Sequence, residues 1–129
     1  MMKLVTAAII RDGEDILVVR RGAGEMLAGF WEFPGGPVEH PETLQECLER
    51  ELFAVLDVAT KAGPVIAVCD HEYESGSIKL VAMETEIVQG KITLAVHDKM
   101  RWLPAGDILG LKLAPAAIPI AQFLLEESA

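Results

Sequence analysis

Between residues 22 and 41 the chain gathers Gly22, Gly24, Gly29, Gly35 and Gly36 with Pro34, Pro37 and Pro41. Such a stretch favours loop over long helix or central strand, because proline removes a backbone donor and glycine loses the most freedom on ordering. Directly after it, Leu44, Leu48, Leu52 and Val55 recur at three- and four-residue intervals. That spacing predicts an amphipathic helix over Thr43 to Leu56, with Glu42 and Thr43 as N-terminal acceptors. Across this junction Gly36, Glu42, Arg50, Glu51 and Leu52 stand in the order G-x5-E-x7-R-E-L. A glycine- and proline-rich loop running directly into one helix is therefore expected.

Around it the pattern is that of strands. Residues 3–10 and 15–20 flank the turn-rich Asp12-Gly13-Glu14-Asp15 and read as a hairpin. Further β-prone runs fall at 64–69, 78–88 and 92–96, with turns at Ser75-Gly76-Ser77 and Gln89-Gly90 and a short strand at Met100 to Leu103. Pro119 to Glu127 closes the chain as an amphipathic helix. Strands on both sides of a central helix, without regular βαβ units, point to an α+β sandwich in a single domain over residues 1–129.

Bulk properties exclude some functions. A formal net charge of −9 argues against a nucleic-acid surface, which needs clustered Lys and Arg. No apolar run approaches the ~20 residues of a membrane span, and MMKLVTAAII runs into Arg11-Asp12 as a first strand rather than a signal peptide. Cys47 and Cys69 form no metal-ligand pattern, so two buried thiols in a reducing cytoplasm are expected. Acidity suits a small-molecule ligand.

The loop–helix pattern resembles the signature of the Nudix hydrolases, G-x5-E-x7-R-E-U-x-E-E-x-G-U with U aliphatic. Gly36, Glu42, Arg50, Glu51 and Leu52 match it, whereas Ala54, Val55 and Asp57 stand where it has Glu, Glu and Gly. Arg20-Arg21, then Leu27 through Gly36, are similar to the segment before the box in the MutT-like branch, whose members clear oxidised dGTP or hydrolyse CTP. Met100-Arg101-Trp102-Leu103-Pro104 and Leu111 through Ile120 resemble its downstream segments.

The resemblance implies a mixed sheet held between helices and a nucleotide as the small-molecule partner. It implies magnesium- or manganese-dependent release of pyrophosphate from nucleoside triphosphates. Glu51 then takes the catalytic and metal-ligand place, with Gly36 as a carbonyl ligand, and Arg21, Phe33, Gly35 and Gly36 on substrate. Glu42 and Arg50 brace loop against helix. Magnesium prefers hard oxygen ligands, which one helix face supplies at i, i+3 and i+4. Here that face reads Glu51, Ala54, Val55. Glu46 and Glu49 lie further round the helix, towards solvent.

Ala117 stands where relatives read the base, Pro37 where they have Lys, and Lys99 where many place a further glutamate. Two readings follow: a weakened pyrophosphohydrolase that uses the metal, and a non-catalytic nucleotide-binding or interaction module that needs none. Residues 70–74 and His97-Asp98 are candidate replacement ligands, expected to be solvated hairpin residues. The apolar run Ile118 to Leu125 suits either the core or a homodimer contact.

Overall fold

The computed structural model describes residues 2–128. Ten elements follow in order: β1 Met2–Asp12, β2 Asp15–Arg21, β3 Trp31–Glu32, β4 Gly35–Pro37, α1 Leu44–Leu56, β5 Ala59–Tyr73, β6 Gly76–Gln89, β7 His97–Leu103, α2 Ala105–Ile108 and α3 Ala117–Glu127. The central path of the mixed sheet is β3-β2-β1-β6-β5, with β4 also on β1 and β7 also on β2. β1 runs parallel to β6 from Met2↔Ser77 to Ile10↔Thr85. This is the α+β arrangement expected from the sequence.

Both faces of the sheet are covered, and the strands show it. β1 sends Ala7 and Ile9 to one core and Ala8 and Ile10 to the other, while β2 divides Ile16 and Val18 from Leu17 and Val19. Continuous apolar runs are what a doubly buried strand requires. On one face lie Leu48, Leu52 and Leu56 of α1, all fully buried, each contributing about 1.5–3 kcal/mol by leaving water. On the other lie Ile120, Ala121 and Leu124 of α3 with Ile108 of α2. Ile118, Phe123 and Leu125 of α3 remain exposed.

The fork between β1 and β2 creates the room for a site. The two strands pair only at Arg11↔Ile16 and Asp12↔Asp15, then separate. The segment Trp31–Pro37 fills the gap: β3 pairs with β2, and two residues later β4 pairs with β1. The Ala8 amide donates to the Pro34 carbonyl at 2.7 Å and closes the join. Gly35 is required there, since a Cβ would collide with the Thr6 carbonyl.

Helix α1 begins and ends by local rules. Thr43 caps it, accepting from the Glu46 amide at 3.1 Å while the Glu46 carboxylate accepts from the Thr43 amide at 2.8 Å. Glu46 is thus a capping group. Glu42, expected as a second N-terminal acceptor, turns instead to Arg50. At the C-terminus Asp57 adopts the left-handed conformation with φ 58°, which explains the signature's glycine there; Asp tolerates it at modest cost.

Four sequence expectations change. Residues 92–96 form no strand, because their amides serve the end of α1: Thr93 N–H donates to the Leu56 carbonyl at 2.8 Å and Ala95 N–H to Val55 at 3.2 Å. Strand β5 extends well beyond 64–69, so Asp70 to Tyr73 are strand and the turn is Glu74-Ser75. The last strand starts at His97 rather than Met100. Glu49 does not point freely to solvent, since it accepts from the Ala62 amide at 2.9 Å, where β5 is irregularly paired.

Replacing Thr43 with Ala should cost about 1 kcal/mol, a fall of a few degrees in Tm. Thermal unfolding followed by circular dichroism checks this, and an unchanged Tm would deny the cap its weight.

Candidate functional site

Arg50 organises the loop before the helix. Its Nη2 and Nε reach the two Glu42 carboxylate oxygens at 2.7 and 2.9 Å, and Nη2 also donates to the Pro37 carbonyl at 3.2 Å. Its Nη1 donates to Glu51 Oε1 at 3.1 Å. The hydrogen bonds from Arg50, followed by one from the Glu39 amide, pull the Glu42 carboxyl down to about 2. Glu42 and Arg50 are thus joined to each other and, through Arg50, to the Pro37 carbonyl.

That clamp places β4 against α1. Gly36 lies so close to Glu51 that a Cβ there would overlap the carboxylate. The Gly36 carbonyl accepts the Thr6 hydroxyl at 2.9 Å, and Cys47 Sγ lies 3.4 Å from the Thr6 oxygen. Burial raises the Cys47 and Cys69 thiols above their ordinary pKa, and both are unpaired.

Glu51, Gly35, Gly36, Pro37, Phe33 and Arg21 meet at one cavity of 470 Å3 in the fork of the sheet. This lies within the roughly 300–1,000 Å3 typical of small-molecule sites. Phe33 is 4% exposed and serves both the core and the cavity wall. A larger open groove of 600 Å3 runs past Arg11, Lys61, Glu84 and Trp102, without any of the loop or Glu51 residues. Its Arg11 is already bound to Glu84 and Glu127.

Three polar side chains of the cavity are committed to one another. Arg21 Nε donates to Glu32 Oε1 at 2.9 Å and Nη1 to the Met26 carbonyl at 3.1 Å. Glu32 Oε2 lies 2.9 Å from His97 Nε2, which donates in the tautomer suited to a carboxylate. His97 Nδ1 is buried and has no hydrogen-bond partner among the described residues. His97 is therefore not a solvated hairpin residue, whereas its neighbour Asp98 is exposed and paired with Arg20 at 2.7 Å. Glu32 was absent from the sequence-derived candidates. Its position between Trp31 and Phe33, both buried, was the available signal.

The remaining wall is apolar. Val55 lines the cavity, while Ala54 is exposed and stands off it, so only one of the two substituted helix positions faces the space directly. Ala117 lines it beside Ala114 and Ala116. Lys99 is exposed on β7 opposite Arg20, and Val96 and His97 occupy the cavity wall in that region. Within residues 70–74, Asp70 pairs with Lys79 and Glu72 and Glu74 are exposed, so only Tyr73 reaches the cavity.

The NUDIX domain profile matches residues 5–122. The chain belongs to the Nudix family. The CTP pyrophosphohydrolase of Escherichia coli (strain K12) is 34% identical over 122 residues, covering 95% of this Nudix chain and 90% of that protein. The solution structure of the E. coli ORF135 protein superposes with TM-score 0.86 at 32% identity, covering 99% and 91%. The MutT protein from Methanosarcina mazei Go1 gives TM-score 0.88 at 22% identity, covering 98% and 95%. Together these establish a MutT-like Nudix fold.

Nudix hydrolases generally use a divalent metal, and the donor set here can be tested against one. Of the carboxylates lining the cavity, Glu32 and Glu51 are bonded to arginines and Glu25 is exposed, the Gly36 carbonyl accepts the Thr6 hydroxyl with one of its two lone pairs, and Val55 offers only methyl groups. No group of three His, Cys, Asp or Glu side chains converges to hold a metal among the described residues. The chain's own residues do not fit a resident magnesium ion. Among the described residues no helix is long and apolar enough to cross a membrane.

Because the folded Glu42 carboxyl sits at about 2, below the ~4.3 of a free glutamate, the native state holds fewer protons than the unfolded one. Its stabilisation is complete above pH ~4.5 and is lost as pH falls towards 2. Glu42→Gln should therefore weaken the protein at neutral pH and flatten its acid loss of Tm. A parallel pH dependence in wild type and variant would contradict the clamp.

Proposed function

We propose that this Nudix chain binds nucleoside triphosphate-type ligands in the fork cavity and hydrolyses them to monophosphate and pyrophosphate weakly at most. The carrying observation is that Val55 lines the cavity beside Glu51, where the family signature has a carboxylate. Losing one ligand or acid–base group typically costs about 10²–10⁴ in rate. Glu51 is left as the catalytic and metal-facing carboxylate, Phe33 as a flat apolar wall for the base, and Arg21 with Gly35 and Gly36 near the phosphates. Magnesium or manganese then arrives with the nucleotide's phosphates rather than as a resident ion. The similarity to a CTP pyrophosphohydrolase supports a nucleotide as the small-molecule partner.

A second reading, a non-catalytic nucleotide-binding or interaction module, is favoured by the absence of any three-ligand cluster among the described residues. For both readings we place the chain as one domain in the reducing cytoplasm, where unpaired Cys47 and Cys69 persist. The net charge of −9 argues against nucleic acid as a partner. The exposed Ile118, Phe123 and Leu125 of α3 are the surface a homodimer would use.

Restoring both carboxylates, Ala54→Glu with Val55→Glu, should confer magnesium affinity and raise pyrophosphate release by about 10²-fold or more. Val55→Glu alone should supply most of the gain, because Ala54 stands off the cavity. Release is followed with CTP as substrate, with Tm measured to confirm folding. A folded double variant that neither binds magnesium nor gains turnover would defeat the proposal, and wild-type release at background would favour the non-catalytic reading.

A further inference from the structure

The loop entering α3 gives the cavity no polar side chain: it reads Ala114, Pro115, Ala116, Ala117. Its backbone is nevertheless fixed. Trp31 accepts from the Ala114 amide at 2.8 Å, Ala117 N–H donates to the Ala114 carbonyl at 2.8 Å, and Ala116 N–H donates to the Tyr73 hydroxyl at 3.1 Å. Tyr73 ends β5, half-buried against the core that α3 covers, and it lines the cavity with Ala114, Ala116 and Ala117. The His71 ring packs edge-on against it, centroids 4.5 Å apart at 63°. The phenol is thus held from two sides.

A phenol has one hydrogen to donate. Here the oxygen already accepts from the main chain, and among the described residues nothing accepts the phenolic hydrogen. Lys3 and Ser75, the other polar residues near this end, are exposed. Tyr73 is therefore the one positioned side-chain donor beside the alanine loop.

We propose that Tyr73 is a specificity-determining residue, donating its hydroxyl hydrogen to the keto oxygen at C4 of a pyrimidine or C6 of a purine in the bound nucleotide. The inference rests on the nucleotide-binding reading above and narrows its ligands to keto-bearing bases. A phenol placed as a donor favours a carbonyl oxygen over a C–H at the same position, because a cavity-facing hydrogen without an acceptor remains unsatisfied.

The test compares nucleotides that differ by one oxygen, by calorimetry on the full chain: UTP against the triphosphate of 4-deoxyuridine, and ITP against purine riboside triphosphate. Wild type should bind the keto member of at least one pair about 3- to 10-fold more tightly. Tyr73→Phe should bring that ratio close to one, with Tm reporting that the variant is folded. Equal weakening of both members would mean that Tyr73 only fixes the loop, and would overturn the inference. Equal binding of both pairs by wild type would overturn it without any variant, leaving the nucleotide-binding reading intact. Wild type that binds no nucleotide would remove both.

Discussion

Arg50 is the hinge on which the site depends. One guanidinium joins Glu42 before the helix, the Pro37 carbonyl at the end of β4, and Glu51 one residue further along α1. A planar fork with five donors can hold such a set in fixed geometry, which lysine cannot. Without it, β4 would keep its pairing with β1 but lose its charged tie to α1, leaving the Cys47 thiol as the hydrogen-bond link between them.

Within that frame the chain has kept architecture and exchanged chemistry. The brace, the close approach of Gly36 to Glu51 and the segment filling the fork all remain. The cavity wall is apolar at Val55, Val96 and the alanines at 114, 116 and 117. Of its polar groups, Arg21, Glu32 and His97 are paired with one another, and Tyr73 is bonded to the main chain. Under the proposed function, such a lining would grip a flat base better than it would neutralise a triphosphate, giving affinity without rapid turnover.

The parts legible in the sequence were those fixed by local chemistry. Helix α1 announced itself through leucine spacing and Thr43, and the Glu42–Arg50 brace followed from one motif. What escaped depended on partners far away in sequence. The pairing of His97 with Glu32 spans 65 residues, and no local pattern around His97 points to it. Residues 92–96 have strand-like composition, yet their amides were claimed by the open carbonyls of α1. Lys99 was matched to a ligand position by its distance from Trp102, whereas the strand places Val96 and His97 on the cavity wall. The substitutions at 54 and 55 were visible at once, but only the structure separates Val55, which faces the cavity, from Ala54, which does not.

If the fork cavity holds a nucleotide without a resident metal, calorimetric titration of CTP into the wild-type chain will detect it. The titration is made first in excess chelator and then in excess magnesium, with pyrophosphate release followed in the same samples. Binding that survives the chelator to within a few-fold, with release remaining slow in magnesium, is the result predicted here. Binding that vanishes in chelator and returns with rapid release in magnesium would show that other groups rebuild the metal site, and would contradict the account.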